Sequence, residues 1–202
     1  PGFVLAGVIL GQKLPAWRGH ALLWACFGVG LALRVPWPLS LILPAALVPT
    51  LRGRFPSLRP IAAALRWGRL DLVTCLFAAA IVLVSSAALV AWFVWGGADV
   101  SDIVALVPRA PLPVLIGGML LFSVANALWE ELLMKWLVWD GVERLLQNRF
   151  FVVAFQAALF GLLHFYGFPR GWLGVALAGS DGVLLGALRV RSGGLLALVV
   201  TH

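Results

Sequence analysis

The sequence predicts an all-α membrane protein, a polytopic bundle of transmembrane helices, and three observations carry that prediction. Hydrophobic residues make up 62% of the chain and its mean hydropathy is +1.03, well above the ~45–50% apolar content of a soluble domain. Apolar runs of spanning or near-spanning length alternate with short breaks of proline, glycine and charge. Ten tryptophans accompany them, the aromatic residue favoured where bilayer meets water.

The elements follow in order. An apolar stub, Phe3 to Leu10, is too short to span. Spans are expected over His20–Val35 and, after the Pro36-Trp37-Pro38 turn, on to Leu51. The basic stretch RGRFPSLRPIAAALRWGRLD comes next, and Leu58 to Leu70 within it predicts an amphipathic helix on the membrane surface. A long span over Leu72–Trp95 leads into the acidic loop GGADVSD. A further helix runs from Leu112 to an apolar end at Trp139, followed by a hairpin turn at Gln147-Asn148. Spans over Phe150–Phe168 and Trp172–Leu188 complete the series, with a last helix starting at Gly194. The chain divides into N-terminal transmembrane helices with a basic loop expected in the cytoplasm over residues 1–111 and a core over 112–202 built from the last four helices. With no initiating methionine at Pro1 and an apolar run still open at His202, it reads as a fragment cut at both ends.

The net charge of +7 does not call for nucleic acid, because the arginines lie in short loops between spans, as the positive-inside rule arranges them. Lys13, Arg18, Arg52, Arg54, Arg59, Arg66, Arg69, Arg144, Arg149, Arg189 and Arg191 fall on one side. Arg34, Arg109 and Arg170 fall on the other with Asp99 and Asp102. The arginine-rich side is therefore expected in the cytoplasm. Cys26 and Cys75 lack any CxxC spacing and read as buried structural thiols. The excess of arginine over lysine and the abundant alanine suit a GC-rich bacterial genome and thus a bacterial plasma membrane.

Two adjacent acids, Glu130 and Glu131, interrupt the apolar run between Leu112 and Trp139. A charge at bilayer depth costs roughly 2.5–3.5 kcal/mol on insertion scales and marks a functional site by default. Glu130 lies about 17 residues before the Gln147-Asn148 turn and His164 about 16 after it, so each sits roughly 25 Å from the hairpin tip. An antiparallel hairpin thus brings both to one level. His202, about ten residues past the Arg191-Ser192-Gly193 turn, reaches roughly the same depth. A carboxylate away from bulk water can act as general base, and two imidazoles can hold a metal or stabilise an oxyanion. Set against this, a single intramembrane histidine serves as readily as a helix–helix hydrogen bonder. A Glu-Glu pair also suits a proton relay or coupling-ion site.

Local sequence adds to this reading. Glu130-Glu131-Leu132-Leu133-Met134-Lys135 is followed by Phe160-Gly161-Leu162-Leu163-His164, and Arg191-Ser192-Gly193-Gly194 leads on to His202. In order and spacing these resemble the motifs of the CAAX protease and bacteriocin-processing (CPBP) family of intramembrane proteases, also called type II CAAX prenyl endopeptidase-like or Abi proteins. The resemblance covers Leu112 to His202. It implies an endopeptidase in which Glu130 activates water, His164 and His202 position the water or stabilise the oxyanion, and Glu131 supports the site. It leaves open whether His164 and His202 bind Zn2+ or the water is activated without a metal. The family's Arg is replaced by Lys135, which keeps the charge but loses the bidentate fork. The Asn or Asp that the third motif carries four residues after its histidine cannot be read here.

The residues themselves fill in the supporting set. Glu131 precedes Lys135 at i+4, the favourable order for a helical ion pair. Asn126, one turn before Glu130, either orients that carboxylate or bridges helices. Phe160 reads as core packing beneath His164. Gly174, Ala178, Gly182 and Gly186 form a small-residue stripe that lets helices approach, and Asp181 beside it is a second intramembrane acid without an assigned catalytic role. The expected partners are the lipid bilayer and a peptide or protein substrate. The alternatives are a non-catalytic bacteriocin self-immunity or scaffold protein and a proton-coupled transporter subunit. The latter predicts paired broken helices in two halves of the chain, and no such repeat is visible.

Overall fold

A computed structural model describes residues 9, 17–96 and 99–202, with Asp102 described by its backbone alone. The stub at Phe3–Leu10, apart from Ile9, and Lys13 lie outside the described residues. Helices α1 (Arg18–Ala32) and α2 (Leu39–Leu51) flank the proline turn as an antiparallel pair. A 3-10 turn (Pro56–Leu58) leads into a short α3 (Arg59–Ala64). The long α4 (Leu72–Trp95) and a single-turn α5 (Ser101–Leu106) precede α6 (Leu112–Leu132). That helix widens into a π segment (Leu133–Val138) and resumes as α7 (Trp139–Leu146). Helices α8 (Arg149–Leu163), α9 (Gly171–Ser192) and α10 (Leu196–Thr201) complete the chain, and no strand occurs among the described residues. Among the described residues, three helical stretches are long and apolar enough to cross a membrane: Leu72–Trp95, Leu112–Leu146 and Gly171–Ser192.

Local chemistry explains the boundaries. Asp71 caps α4 by accepting from the Thr74 amide at 2.8 Å, and Asn148 caps α8 by accepting from the Phe150 amide at 2.9 Å. The hairpin turn closes with Gln147 in the left-handed region at φ 50°, and α9 ends on Gly193 at φ 70°. Both turns fall where the sequence places them. Leucines and valines of α4 and of the first turns of α6 remain exposed, among them Leu83, Val84, Leu120 and Leu121. Such faces suit lipid rather than water.

Four features depart from expectation. The surface helix predicted over Leu58–Leu70 stops at Ala64, and the chain continues without helix to Asp71. Its polar backbone is used for tertiary bonds instead. Leu195 and Leu196 donate to the carbonyls of Arg66 and Trp67, and Arg69 donates to that of Ser192. Gly68, at φ 80°, permits this crossing because a Cβ there would meet the Gly194 Cα at 2.6 Å. Second, α8 ends at Leu163 rather than Phe168, in keeping with a weak helix former at Gly167 and the restriction that Pro169 places on Phe168. Third, Cys26 and Cys75 are free but exposed, not buried. They lie on apolar helices, where a thiol is one more apolar side chain. Fourth, part of the acidic loop folds as α5.

Two cores result. The larger gathers α1, α2, α3, the π segment and α8 around Trp136, whose indole donates to the Ile61 carbonyl at 3.0 Å. The smaller joins Ile81 of α4 to Leu185 and Leu188 of α9 and Leu198 of α10. The glycine stripe lies on the face of α9 that packs against α8: a Cβ on Gly182 would meet the Ala157 Cα at 3.0 Å. Gln156 reaches across to donate to the Gly182 carbonyl at 2.6 Å. At the polar end of the bundle His20 Nε2 lies 2.8 Å from Asp140 Oδ2, which also accepts from Arg144 at 2.7 Å.

The link between the 65–71 strap and the turn before His202 depends on charge. Arg191 contacts Asp71 at 3.0 Å and Arg69 contacts it at 3.4 Å. The Thr74 amide and hydroxyl, then these two arginines, hold the Asp71 carboxyl below its ordinary value of 3.8. A lowered value means that the contribution is present above the ordinary carboxyl range and is lost as pH falls below it. Protection of the Arg69 and Thr74 amides, measured against the intrinsic exchange rate at each pH, is therefore expected to fall on acidification, and Asp71→Asn should show the lowered protection already at neutral pH.

Candidate active site

The sequence-predicted residues meet in one cavity of about 770 Å3, walled by α4, α6, α8, α9 and α10. Asn126, Glu130, Phe160, His164 and His202 all line it. Glu131 does not line it, being only 1% exposed. Consecutive helical residues point about 100° apart, so the two glutamates divide between cavity and core.

Glu130 is held from two sides. Asn126 Nδ2 donates to its Oε1 at 3.2 Å, so of the two readings of Asn126 the one that orients the carboxylate matches the contact found. His202 Nε2 lies 3.4 Å from its Oε2, and both side chains are largely buried, at 18% and 16% exposure. The other nitrogen of the same ring, Nδ1, is 2.9 Å from Glu131 Oε1. One imidazole thus bridges both carboxylates. Carboxylate oxygens only accept, so Nδ1 carries a proton toward Glu131, and the Nε2–Glu130 contact is favourable when one more proton lies between them.

His164 stands at the C-terminal cap of α8, and its Nδ1 is 2.9 Å from the Phe160 carbonyl. A carbonyl can only accept, which places the proton on Nδ1 and leaves Nε2 with its lone pair. The Phe160 ring packs edge-on against His164 with centroids 4.6 Å apart, and 6.5 Å from His202. Phe160 is therefore core, as expected, and also the surface from which both imidazoles are set. Glu130 and His164 share the cavity, as the hairpin arithmetic requires, without a direct bond between them.

The expected i+4 pair makes no direct salt bridge, although the two buried charges still act on each other through space. Lys135 is fully buried and its Nζ has no hydrogen-bond partner; Glu131 Oε2 has none either. The π segment that begins at Leu133 explains this, because the widened turn shifts Lys135 out of α-helical register. Its Nζ lies instead 5.2 Å from the centre of the Phe160 ring.

Residues 111–202 match the family model described as type II CAAX prenyl endopeptidase Rce1-like. This part of the chain is therefore similar to that family. No curated protein and no solved structure matches the chain significantly. The candidate spans make this an integral membrane protein, and its residues 111–202 are similar to the CAAX-type intramembrane proteases. All the cavity-lining residues named above as predicted fall within that stretch, and so does Asp181. The N-terminal region adds a contact that sequence reasoning missed: Ser85 of α4 donates to Asp181 Oδ1 at 2.6 Å on the cavity wall. A serine in an apolar run gives no signal until its partner, far along the chain, is known.

The donor set also bears on zinc. Among the described residues no three His, Cys, Asp or Glu side chains converge as metal ligands would. His202 turns both ring nitrogens to carboxylates, which leaves His164 Nε2 as the free imidazole donor of the pair. The arrangement as it stands suits water held between a carboxylate and an imidazole.

Proposed function

We propose that this protein is an intramembrane endopeptidase that hydrolyses a peptide bond with water activated by Glu130. The observation that carries the reading is the three-way contact of Glu130, Glu131 and His202 at a cavity that His164 also lines. Glu130 takes a proton from water, and the oxygen attacks the scissile carbonyl carbon. The water's second O–H donates a hydrogen bond to His164 Nε2, which fixes the direction of attack. His202, charged against two carboxylates, donates from Nε2 to the developing oxyanion. Glu130 then returns its proton to the leaving nitrogen as the C–N bond breaks. Glu131 acts through His202 by holding Nδ1.

The substrate is a peptide or protein segment that reaches the cavity from the bilayer or its cytoplasmic face, processed in a CAAX-like or bacteriocin-processing-like manner. The apolar cavity wall, including Ile81 and Phe122, suits a hydrophobic segment. The setting proposed is a bacterial plasma membrane with the arginine-rich loops in the cytoplasm. No step in this scheme passes through a metal.

The test is cleavage of a library of hydrophobic C-terminal peptides by the purified protein, with and without a zinc chelator. Cleavage that persists in chelator is expected. Loss of cleavage on chelation, with recovery on adding zinc, would replace the metal-free scheme, and absence of any cleavage above buffer would sink the peptidase reading.

A further inference from the structure

A second pocket, of about 380 Å3, lies away from the catalytic cavity. Its charged lining is four arginines, Arg66, Arg144, Arg149 and Arg189, against two carboxylates, Asp140 and Glu143. Arg144 spends its guanidinium on Asp140, donating from both Nε and Nη2, and Asp140 is further occupied by His20. Glu143 is left to face the remaining three arginines.

Arg189 is the informative residue. It is only 8% exposed; its Nη2 donates to the Ala64 carbonyl at 3.1 Å, and its Nη1 has no partner. A buried guanidinium with an unsatisfied donor is costly unless an acceptor completes it. Arg66 uses Nε on the Ala63 carbonyl at 2.8 Å, which leaves its two terminal nitrogens for a ligand. Arg149, exposed at the start of α8, makes no side-chain hydrogen bond among the described residues.

We propose that this pocket binds a phosphate group, supplied by the headgroup of an anionic phospholipid. Guanidinium forks match phosphate oxygens in pairs, and three arginines converge here with Glu143 facing them and Asp140 already engaged by Arg144. The pocket lies where the apolar run that ends at Trp139 and the helix that ends at Ser192 both give way to polar chain, and Trp139 lines it. That is the depth of a lipid headgroup, and basic pockets between transmembrane helices bind such groups. Gly193, in the turn that precedes α10, also lines the pocket, so an occupant would brace the segment that carries His202.

The experiment uses the purified chain in neutral detergent and reads its unfolding midpoint during titration with short-chain phosphatidylglycerol, short-chain phosphatidylcholine and inorganic phosphate. Phosphatidylglycerol is expected to raise the midpoint saturably, and phosphatidylcholine is not. In Arg66→Ala and Arg149→Ala, both exposed positions that leave the fold intact, half-saturation should weaken about tenfold each. Arg189→Gln should abolish the response. Equal shifts with the two lipids, or a phosphatidylglycerol response unchanged in the Arg66→Ala/Arg149→Ala double variant, would overturn the site. Inorganic phosphate matching the lipid in half-saturation and size of shift would overturn the lipid assignment and give the pocket to a soluble phosphate.

Discussion

Glu130→Gln is expected to lower kcat/KM for peptide cleavage by about a thousandfold or more, the upper range of what loss of a positioned general base costs. The substitution is close to isosteric, and the Asn126 amide can still donate to the new side chain's carbonyl oxygen as it does to Glu130 Oε1. The fold should therefore persist, with an unfolding midpoint near that of the wild type. What disappears is the acceptor for the water proton and the negative charge facing His202 Nε2. KM should change little, since the carboxylate acts on water rather than on the body of the peptide. A variant that keeps most of its cleavage would remove Glu130 from the role of base. A variant with normal kcat and a raised KM would move it from chemistry to binding.

The depth arithmetic that paired Glu130 with His164 worked because a helical hairpin is nearly symmetric about its tip, and the tip was marked by Gln147-Asn148. The same arithmetic could not say which glutamate His202 would meet. That depends on the rotation of α6 about its own axis and on the side from which α10 approaches, and neither is written in a hydropathy pattern. The long spans were legible for a similar reason: apolar length alone selects them, and Leu72–Trp95 has the predicted limits. The basic segment after α2 was not, because amphipathic composition over Leu58–Leu70 cannot reveal that its backbone will bond to the turn before α10. The π segment was equally hidden. An i+4 rule assumes 3.6 residues per turn, and the chain departs from that value at the residues carrying the Glu131–Lys135 expectation. The contact of His20 with Asp140 joins parts of the chain that no local pattern links.

Glu131→Gln is expected to destabilise the protein more than Glu130→Gln and to lower its activity as well. Glu131 and Lys135 are both buried, each with a charged atom that makes no hydrogen bond. Lys135 has the Phe160 ring on one side, and Glu131, four residues earlier, is the acid nearest to it in sequence. Neutralising the glutamate leaves an uncompensated ammonium in the core, which costs on the order of 3–5 kcal/mol when one partner of a buried pair is removed. Removing both charges is far less costly, so Glu131→Gln combined with Lys135→Met should recover most of the lost stability. Activity should not follow stability in that double variant. Gln cannot hold His202 Nδ1 as a carboxylate does, so kcat should stay roughly 10^2 to 10^4 below wild type, the scale set by losing a carboxylate that orients a catalytic imidazole. Unfolding midpoints of the two singles and the double give the coupling between the charges. The pH–rate profile separates the second role, because a displaced His202 should move the limb that a purely structural repair leaves in place. If the double variant regains stability and full activity together, Glu131 serves only to neutralise Lys135, and His202 takes its position from elsewhere.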